Sequence, residues 1–330
     1  MPAAIAEAAA PAIDRRRARR KAAWRRRGLV LLLMSPWLVG FSIFFGYPLV
    51  MSVYLSFNHY DLLSSPRWVG LANYHYLLHD DPQVWPAVRN TIWLILVMVP
   101  LQVLFAFGVA TMVARAKRGV GFFRTIFYLP ALAPPVAATL GFVYLLNPAT
   151  GPVNIFLGKL GIEGPLWFQS PGWSKPSLTL LGLWGIGNTM IIFLAAILDV
   201  PTHLYESAEL DGANVLQRMR WVTLPSISPV ILFSVVIGTI AGLQYFTQAY
   251  VAANIASGQA SQSGDTVNNL GYPQESTLFY PVLLYEQGFK YFNMGYASAL
   301  AMVLLVVAFS VTLVIIVNSR RWVHYQGAGR

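Results

Sequence analysis

The chain has 330 residues, 56% hydrophobic and only 11% charged, with a mean hydropathy of +0.55 and a net charge of +10. A soluble domain carries roughly 25% charged residues, so this composition excludes one and indicates an integral membrane protein. Without cysteine, disulfides and thiolate metal sites are excluded too.

In chain order, residues 1–28 are expected to form a disordered basic tail. Nine of the 23 Lys and Arg lie between Arg15 and Arg27, directly before an apolar run. No recognition helix or base-stacking module accompanies them, so nucleic acid is not the expected partner. Anionic membrane lipid is. Six apolar runs are then long enough to cross about 30 Å of hydrocarbon, roughly 20 residues each, as helices. They cover Leu29–Phe57, Thr91–Val113, Phe122–Leu146, Leu178–Leu198, Ile227–Ala253 and Ala297–Val317. The first is too long for a cleaved signal and lacks a small-residue cleavage site, so it reads as a retained span. Residues 29–90 hold the first span and a long connector, 91–318 the remaining spans, and 319–330 a short tail.

Orientation follows from the bases. With the N-terminus inside, 18 Lys and Arg fall in inner segments, and Arg67, Arg89, Lys159, Lys175 and Lys290 remain outside. That bias predicts both termini in the cytoplasm. The outer connectors Asn58–Asn90 and Asn147–Ser177 are rich in Pro, Gly, Trp and Asp. The third contains ASGQASQSGDTVNNLGYPQEST, which cannot bury a core of its own and is expected to be flexible. No internal repeat is visible.

The span interiors hold no Asp, Glu, Lys, Arg or His, which argues against a proton-coupled carrier. Gly158–Lys159 lacks the rest of a phosphate loop. No catalytic triad, carboxylate pair or metal-ligand spacing is present, so the chain is not expected to be an enzyme or to hold a cofactor. A transporter so composed takes its energy from another polypeptide. An ion-coupled secondary transporter and a membrane scaffold subunit are the alternatives.

The stretch Tyr205–Pro225, YESAELDGANVLQRMRWVTLP, breaks the pattern with three acids, two bases and a glycine between two spans. Ala208, Val215, Met219 and Val222 recur at helical spacing. Asp199 before Pro201 offers an N-cap, and Gly212 permits a bend between two short helices. Periodicity alone also fits an amphipathic helix lying on the membrane.

Glu206-Ser207-Ala208, Asp211-Gly212-Ala213 and Thr223-Leu224-Pro225 resemble the cytoplasmic "EAA" loop of binding-protein-dependent ABC importer permeases. That motif reads E-A-A, three residues, G, nine residues, I-x-L-P; Ser207 and Val222 are mild departures from it. WVGLANYHYLLHDDPQVWPAVRNT, FFRTIFYLPALAPPVAATLGFVYLLNPATGPVN, FKYFNMGYASALAMVLL and PLVMSVYLSFNHYD are similar to the carbohydrate-uptake branch, so the likeness covers most of Trp37 to Val317. The resemblance implies a type I transmembrane domain, all-α, with six membrane helices and a coupling helix in the loop at 201–225. It implies ATP-binding subunits that hold the ATP and Mg, a second homologous permease, an extracytoplasmic solute-binding protein, and a bacterial or archaeal inner membrane. The coupling residues would be Glu206, Ala208, Asp211, Gly212, Ala213, Leu224 and Pro225, with Ala208 and Val215 as the apolar contacts.

Within the spans, Trp184, Asn188 and Thr189 in LLGLWGIGNTMIIF, and Gln244, Tyr245, Thr247 and Gln248 in GTIAGLQYFTQAY, are candidates for a solute path. Uncharged amides and hydroxyls can bond sugar hydroxyls, and an aromatic face can pack on a pyranose. Helix–helix hydrogen bonding is an equal reading of any one of them. In maltose-type members the spans flanking the coupling loop supply the sugar contacts; Trp184 and Thr189 fall at matching places, and Gln244–Gln248 is a matching neighbourhood. Gly238 and Gly242 read as a helix-packing pair. Pro130, Pro134 and Pro135 are expected to bend the third span.

Overall fold

A computed structural model of the protein describes residues 24–116, 118–258, 271–319, 321 and 323. The basic tail up to Ala23, most of the C-terminal tail and the middle of the expected flexible tract fall outside them. The chain divides into two compact units, one ending at Leu55 and the other beginning at Ser56.

The first unit's described part is a single helix, α1, Trp24–Ser56, which runs on to the first residue of the second unit. One wide turn, Ser42–Gly46, interrupts its regular bonding. No residue of the helix before Ser56 is buried, so most of its Leu and Phe side chains are exposed, as on a helix that meets lipid.

The second unit opens with a two-stranded hairpin, β1 (Asn58–His59) and β2 (Arg67–Trp68), paired antiparallel with Asn58 opposite Trp68. This is the one departure from an all-helical reading among the described residues, and it is too short to leave a periodic signal. The Asn73 side-chain amide, in the one-turn helix α2 (Ala72–His75), donates to the Ser56 and Asn58 carbonyls at 2.9 and 3.0 Å and ties the connector together. Asp81 beyond it accepts from the Tyr296 hydroxyl at 2.6 Å in a buried site.

Next come α3 (Val84–Arg115), α4 (Val120–Tyr128), α5 (Pro135–Leu145), α6 (Pro152–Lys159), α7 (Pro171–Trp184) and α8 (Gly187–Leu198). They are followed by α9 (Thr202–Leu210), α10 (Val215–Ser226), α11 (Ser228–Leu243), α12 (Thr247–Ala256), α13 (Tyr280–Tyr285) and α14 (Met294–Ser319). Only α1, α3 and α14 are unbroken helices long and apolar enough to cross a membrane. The rest of the apolar sequence is bent. A short 3-10 turn carries α4 on to Leu132, and α5 leaves it at 99°. The bend follows from Pro134 and Pro135, which supply no N–H to continue the ladder, with Ala133 and Pro134 extended. Helices α7 and α8 meet at 50° across Gly185–Ile186, and α10 and α11 at 69°. Counting each bent pair as one span gives six.

Helix α3 is the central rod, packing on α7, α8, α11 and α13. It runs through two hydrophobic cores. Leu94 and Met98 belong to the first, with Phe279, Leu283 and Leu300; Ala106, Val109, Ala110 and Val113 belong to the second, with Met190, Phe193 and Ile227. Its Asn90 end is pinned. The Asn90 amide donates to the Glu275 and Leu278 carbonyls at 2.7 and 3.0 Å and accepts from Lys175 at 3.0 Å. The Tyr280 amide donates to the Thr91 hydroxyl at 2.9 Å. The end of the polar tract is therefore not loose: Ser276 and Thr277 are buried, and Ser276 bonds Ser174 at 2.8 Å. On α11, Gly238 and Gly242 do act in packing. A Cβ on Gly238 would stand 2.9 Å from a Val99 methyl, and one on Gly242 3.0 Å from Ile95.

Candidate functional site

Between the two cores α3 carries one polar side chain, Gln102, and the breaks of other helices gather around it. Two adjoining clefts of about 200 and 360 Å³ share Met98, Gln102, Tyr245 and Gln248. Trp184, Gly182, Pro130 and Pro135 complete one; Gly238, Ala241, Gly242 and Gln244 complete the other. No charged residue lines either cleft.

Local sequence explains why polar groups collect here. Trp184 ends α7, where Gly185 closes the helix, and its ring is held 5.4 Å from that of Phe142. Gln244 caps α11, the backbone unwinds through Phe246, and Gln248 stands in the first turn of α12. A break leaves backbone amides and carbonyls without helical partners, which at membrane depth is tolerated where the chain lines a cavity. The proline bend thus borders the smaller cleft through Pro130 and Pro135, besides bending the span.

The cleft side chains are unsatisfied. The Tyr245 hydroxyl is buried and has no hydrogen-bond partner. Among the described residues, the side-chain polar groups of Gln102, Trp184, Gln244 and Gln248 make no hydrogen bond either. Of the five only Tyr245 is buried; Gln102 and Gln248 are half-buried and Trp184 and Gln244 exposed. The layer therefore presents open donors and acceptors at the clefts, and the buried unpaired Tyr245 hydroxyl is the group whose pairing calls for a ligand. Of the residues singled out from sequence, Trp184, Gln244, Tyr245 and Gln248 come together; exposed Asn188, half-buried Thr189 and half-buried Thr247 line neither cleft. Gln102 and Met98 escaped the sequence reading. A lone glutamine in a run of apolar residues was the available signal.

The second feature is the loop of α9 and α10. Asp199 ends α8 and does not cap α9; Pro201 stands at the α9 N-cap, because the Asp199 amide bonds back to Ala195. At the other end of α9, Gly212 has φ +77°, its N–H donates to the Glu209 carbonyl at 3.0 Å, and the Ala213 N–H donates to Ala208 at 2.9 Å. This is a Schellman stop, in which the glycine bonds back to Glu209 and the residue after it to Ala208, the last alanine position of the motif's first triplet. Asn214 then opens α10 by exchanging side-chain bonds with Gln217 at 2.9 and 2.7 Å. Arg218 pairs with Glu209 at 3.1 Å, and the Tyr205 and Thr223 hydroxyls meet at 3.0 Å, so the two helices are locked as a unit. Leu224 and Pro225 are half-buried at its junction with α11.

Ala208 and Ala213 are half-buried within the loop, while Glu206, Asp211 and Gly212 are exposed. The apolar side chains offered to a partner are Leu210 at 90% exposure, Leu216 and Trp221 at 71%, and Val215 at 47%. Behind the loop lies a cavity of about 500 Å³, lined by Thr111, Arg115, Leu198, Tyr205, Arg218 and Met219 among others.

Helices broken around an uncharged polar layer, with a rigid exposed loop at one end, define a membrane transport component. Residues 102–322 match the family described as binding-protein-dependent transport system inner membrane component, and the chain belongs to that family. It is 36% identical over 294 residues to the probable ABC transporter permease protein YesP of Bacillus subtilis, covering 89% of this chain and 91% of that protein. To the arabinooligosaccharides transport system permease protein AraP of the same organism it is 28% identical over 308 residues, 90% of this chain and 92% of that one. A chain from the crystal structure of a bacterial ABC transporter involved in the import of the acidic polysaccharide alginate has a TM-score of 0.72 at 24% identity. That match spans 90% of this chain and 96% of the other, a likeness of fold.

Proposed function

We propose that this chain is a permease subunit of an ATP-driven, binding-protein-dependent importer, and that its solute is a neutral sugar or oligosaccharide. One observation carries the solute class: five side chains able to hydrogen-bond, none charged and none paired, around a cleft with an aromatic wall. Such groups hold hydroxyls by exchange of hydrogen bonds, each worth about 0.5–1.5 kcal/mol net, weak enough for release. A phosphate or carboxylate would need a cation that the clefts lack. The name of the AraP relative supports the same class.

The α9–α10 unit docks on an ATP-binding subunit, which holds the ATP and Mg. Leu210, Leu216 and Trp221 supply apolar contact, and Glu206 and Asp211 set register around it. The distribution of Lys and Arg supports a cytoplasmic position for this loop. A second permease closes the open side of the clefts, and an extracytoplasmic binding protein delivers the solute at the opposite face.

The test is uptake by proteoliposomes that hold the complete importer, with its binding protein outside and ATP inside. Trp184→Ala and Gln248→Ala are each expected to lower uptake about two- to tenfold, the equivalent of one aromatic or hydrogen-bonded contact, with assembly unchanged. Unchanged uptake and substrate preference in both would move the path elsewhere.

A further inference from the structure

We propose that Gln102 is a substrate-contacting residue that reads the hydroxyl pattern of the solute, and that Gly182 is the positioning residue that leaves its amide room. The inference rests on the carbohydrate reading above and adds α3, an unbroken helix, as a third wall of the path.

Gln102 stands in the gap between the two hydrophobic cores and borders both clefts, one on the α7 side and one on the α11 side. Its neighbours along α3 are Val99, Pro100, Leu101, Val103 and Leu104, so the amide is an isolated polar group. An amide brings two donors and an acceptor, and none of these has a partner among the described residues. The same clefts hold the Tyr245 hydroxyl, buried and unpaired. A helix-packing glutamine would bond across to the facing helix. Here the facing residue is Gly182, which offers no side chain to bond.

Gly182 is set by close approach. A Cβ there would stand 2.6 Å from the Gln102 amide nitrogen and would overlap the Met98 terminal methyl. Both obstructing atoms are the free ends of flexible side chains. A methyl group at position 182 can therefore be absorbed by swinging them aside. The fold is kept, but the amide is displaced from its place between the clefts. A position that moves a polar group while asking only one flexible core side chain, Met98, to give is suited to tuning selectivity.

The experiment uses proteoliposomes with the complete importer and three labelled probes: arabinotriose, lactose and a mannuronate trisaccharide. The neutral probe that wild type carries is then compared with its monodeoxy analogues. Gln102→Leu is expected to reduce kcat/KM for the parent sugar about tenfold, the loss of one hydrogen bond. One monodeoxy analogue, poorly carried by wild type, should then be carried as well as the parent. Gly182→Ala is expected to change selectivity at the same hydroxyl, several-fold, with an unaltered melting temperature; it keeps the test open should Gln102→Leu fail to assemble. An equal loss for the parent and every analogue, or a wild-type ranking in both variants, overturns the inference. If Trp184→Ala still weakens uptake in that case, the path stands without Gln102. If wild type carries no neutral probe, the carbohydrate reading itself falls, and this inference with it.

Discussion

Gly212 shows how one residue can be fixed by backbone geometry alone. Nothing lies within 4 Å of where its Cβ would be, yet its φ of +77° places it in the left-handed region. A side chain there costs roughly 1–2 kcal/mol, except that asparagine visits the region more readily. Gly212→Val should therefore unwind the Schellman stop and re-aim α9 against α10, while Gly212→Asn should retain the turn. Co-purification with the ATP-binding subunit and solute-stimulated ATP hydrolysis are the measurements: loss in the valine variant and near wild-type behaviour in the asparagine variant are expected. Equal loss in both would mean that the partner's surface, not this turn, demands the glycine.

At the scale of elements, an apolar run marks each of the three long apolar helices and each of the three bent pairs, because length and hydropathy are properties of composition. The ends stray where helices break: the run Ile227–Ala253 starts at α11, leaves out α10, and carries past Leu243 into α12. The breaks were less legible. Pro134 and Pro135 declare the α4–α5 bend, but the interruptions at Gly185 and at Gln244–Phe246 depend on what packs around them. Hence Trp184 and Gln248 were found as polar or aromatic exceptions, and Gln102 was not, since α3 shows no face pattern that marks it. Asp199 was misread because a carboxylate before a proline suits a cap as well as it suits the end of α8. The Asn214–Gln217 capping box, by contrast, was in plain view three residues apart. Packing on α11 gives a prediction here. Gly238→Leu forces several carbons toward Val99, where a Cβ already comes to 2.9 Å, and should cost about 1–3 kcal/mol through overpacking. Thermal denaturation of the assembled complex in detergent would register it as a lower Tm; an unchanged Tm would mean that α3 and α11 separate freely.

For the molecule as a whole, sidedness is the open quantity, and the chain suits its measurement because it has no native cysteine. Single cysteines at Leu63, 95% exposed in the hairpin connector, and at Leu210, 90% exposed in the loop, give well-separated probes. The excess of basic residues on one side predicts that an impermeant maleimide labels position 63 in intact cells and position 210 only after lysis. Labelling of both from outside would contradict an inner coupling loop.

The anchoring of α3 at Asn90 makes the helix a lever with its fulcrum at one end. At about 1.5 Å per residue, Gln102 stands roughly 18 Å from that fulcrum and Arg115 roughly 38 Å from it. A swing of about 5° displaces Arg115 by roughly 3 Å and Gln102 by roughly 1.6 Å, a reduction of about twofold along a straight rod. The 500 Å³ cavity beside Arg115 supplies clearance at the long end, and glycines at 182, 238 and 242 let α7 and α11 close tightly on the shaft. If a partner's stroke at the loop turns α3 about Asn90, the movement would reach the clefts reduced about twofold, to the scale of one hydrogen bond.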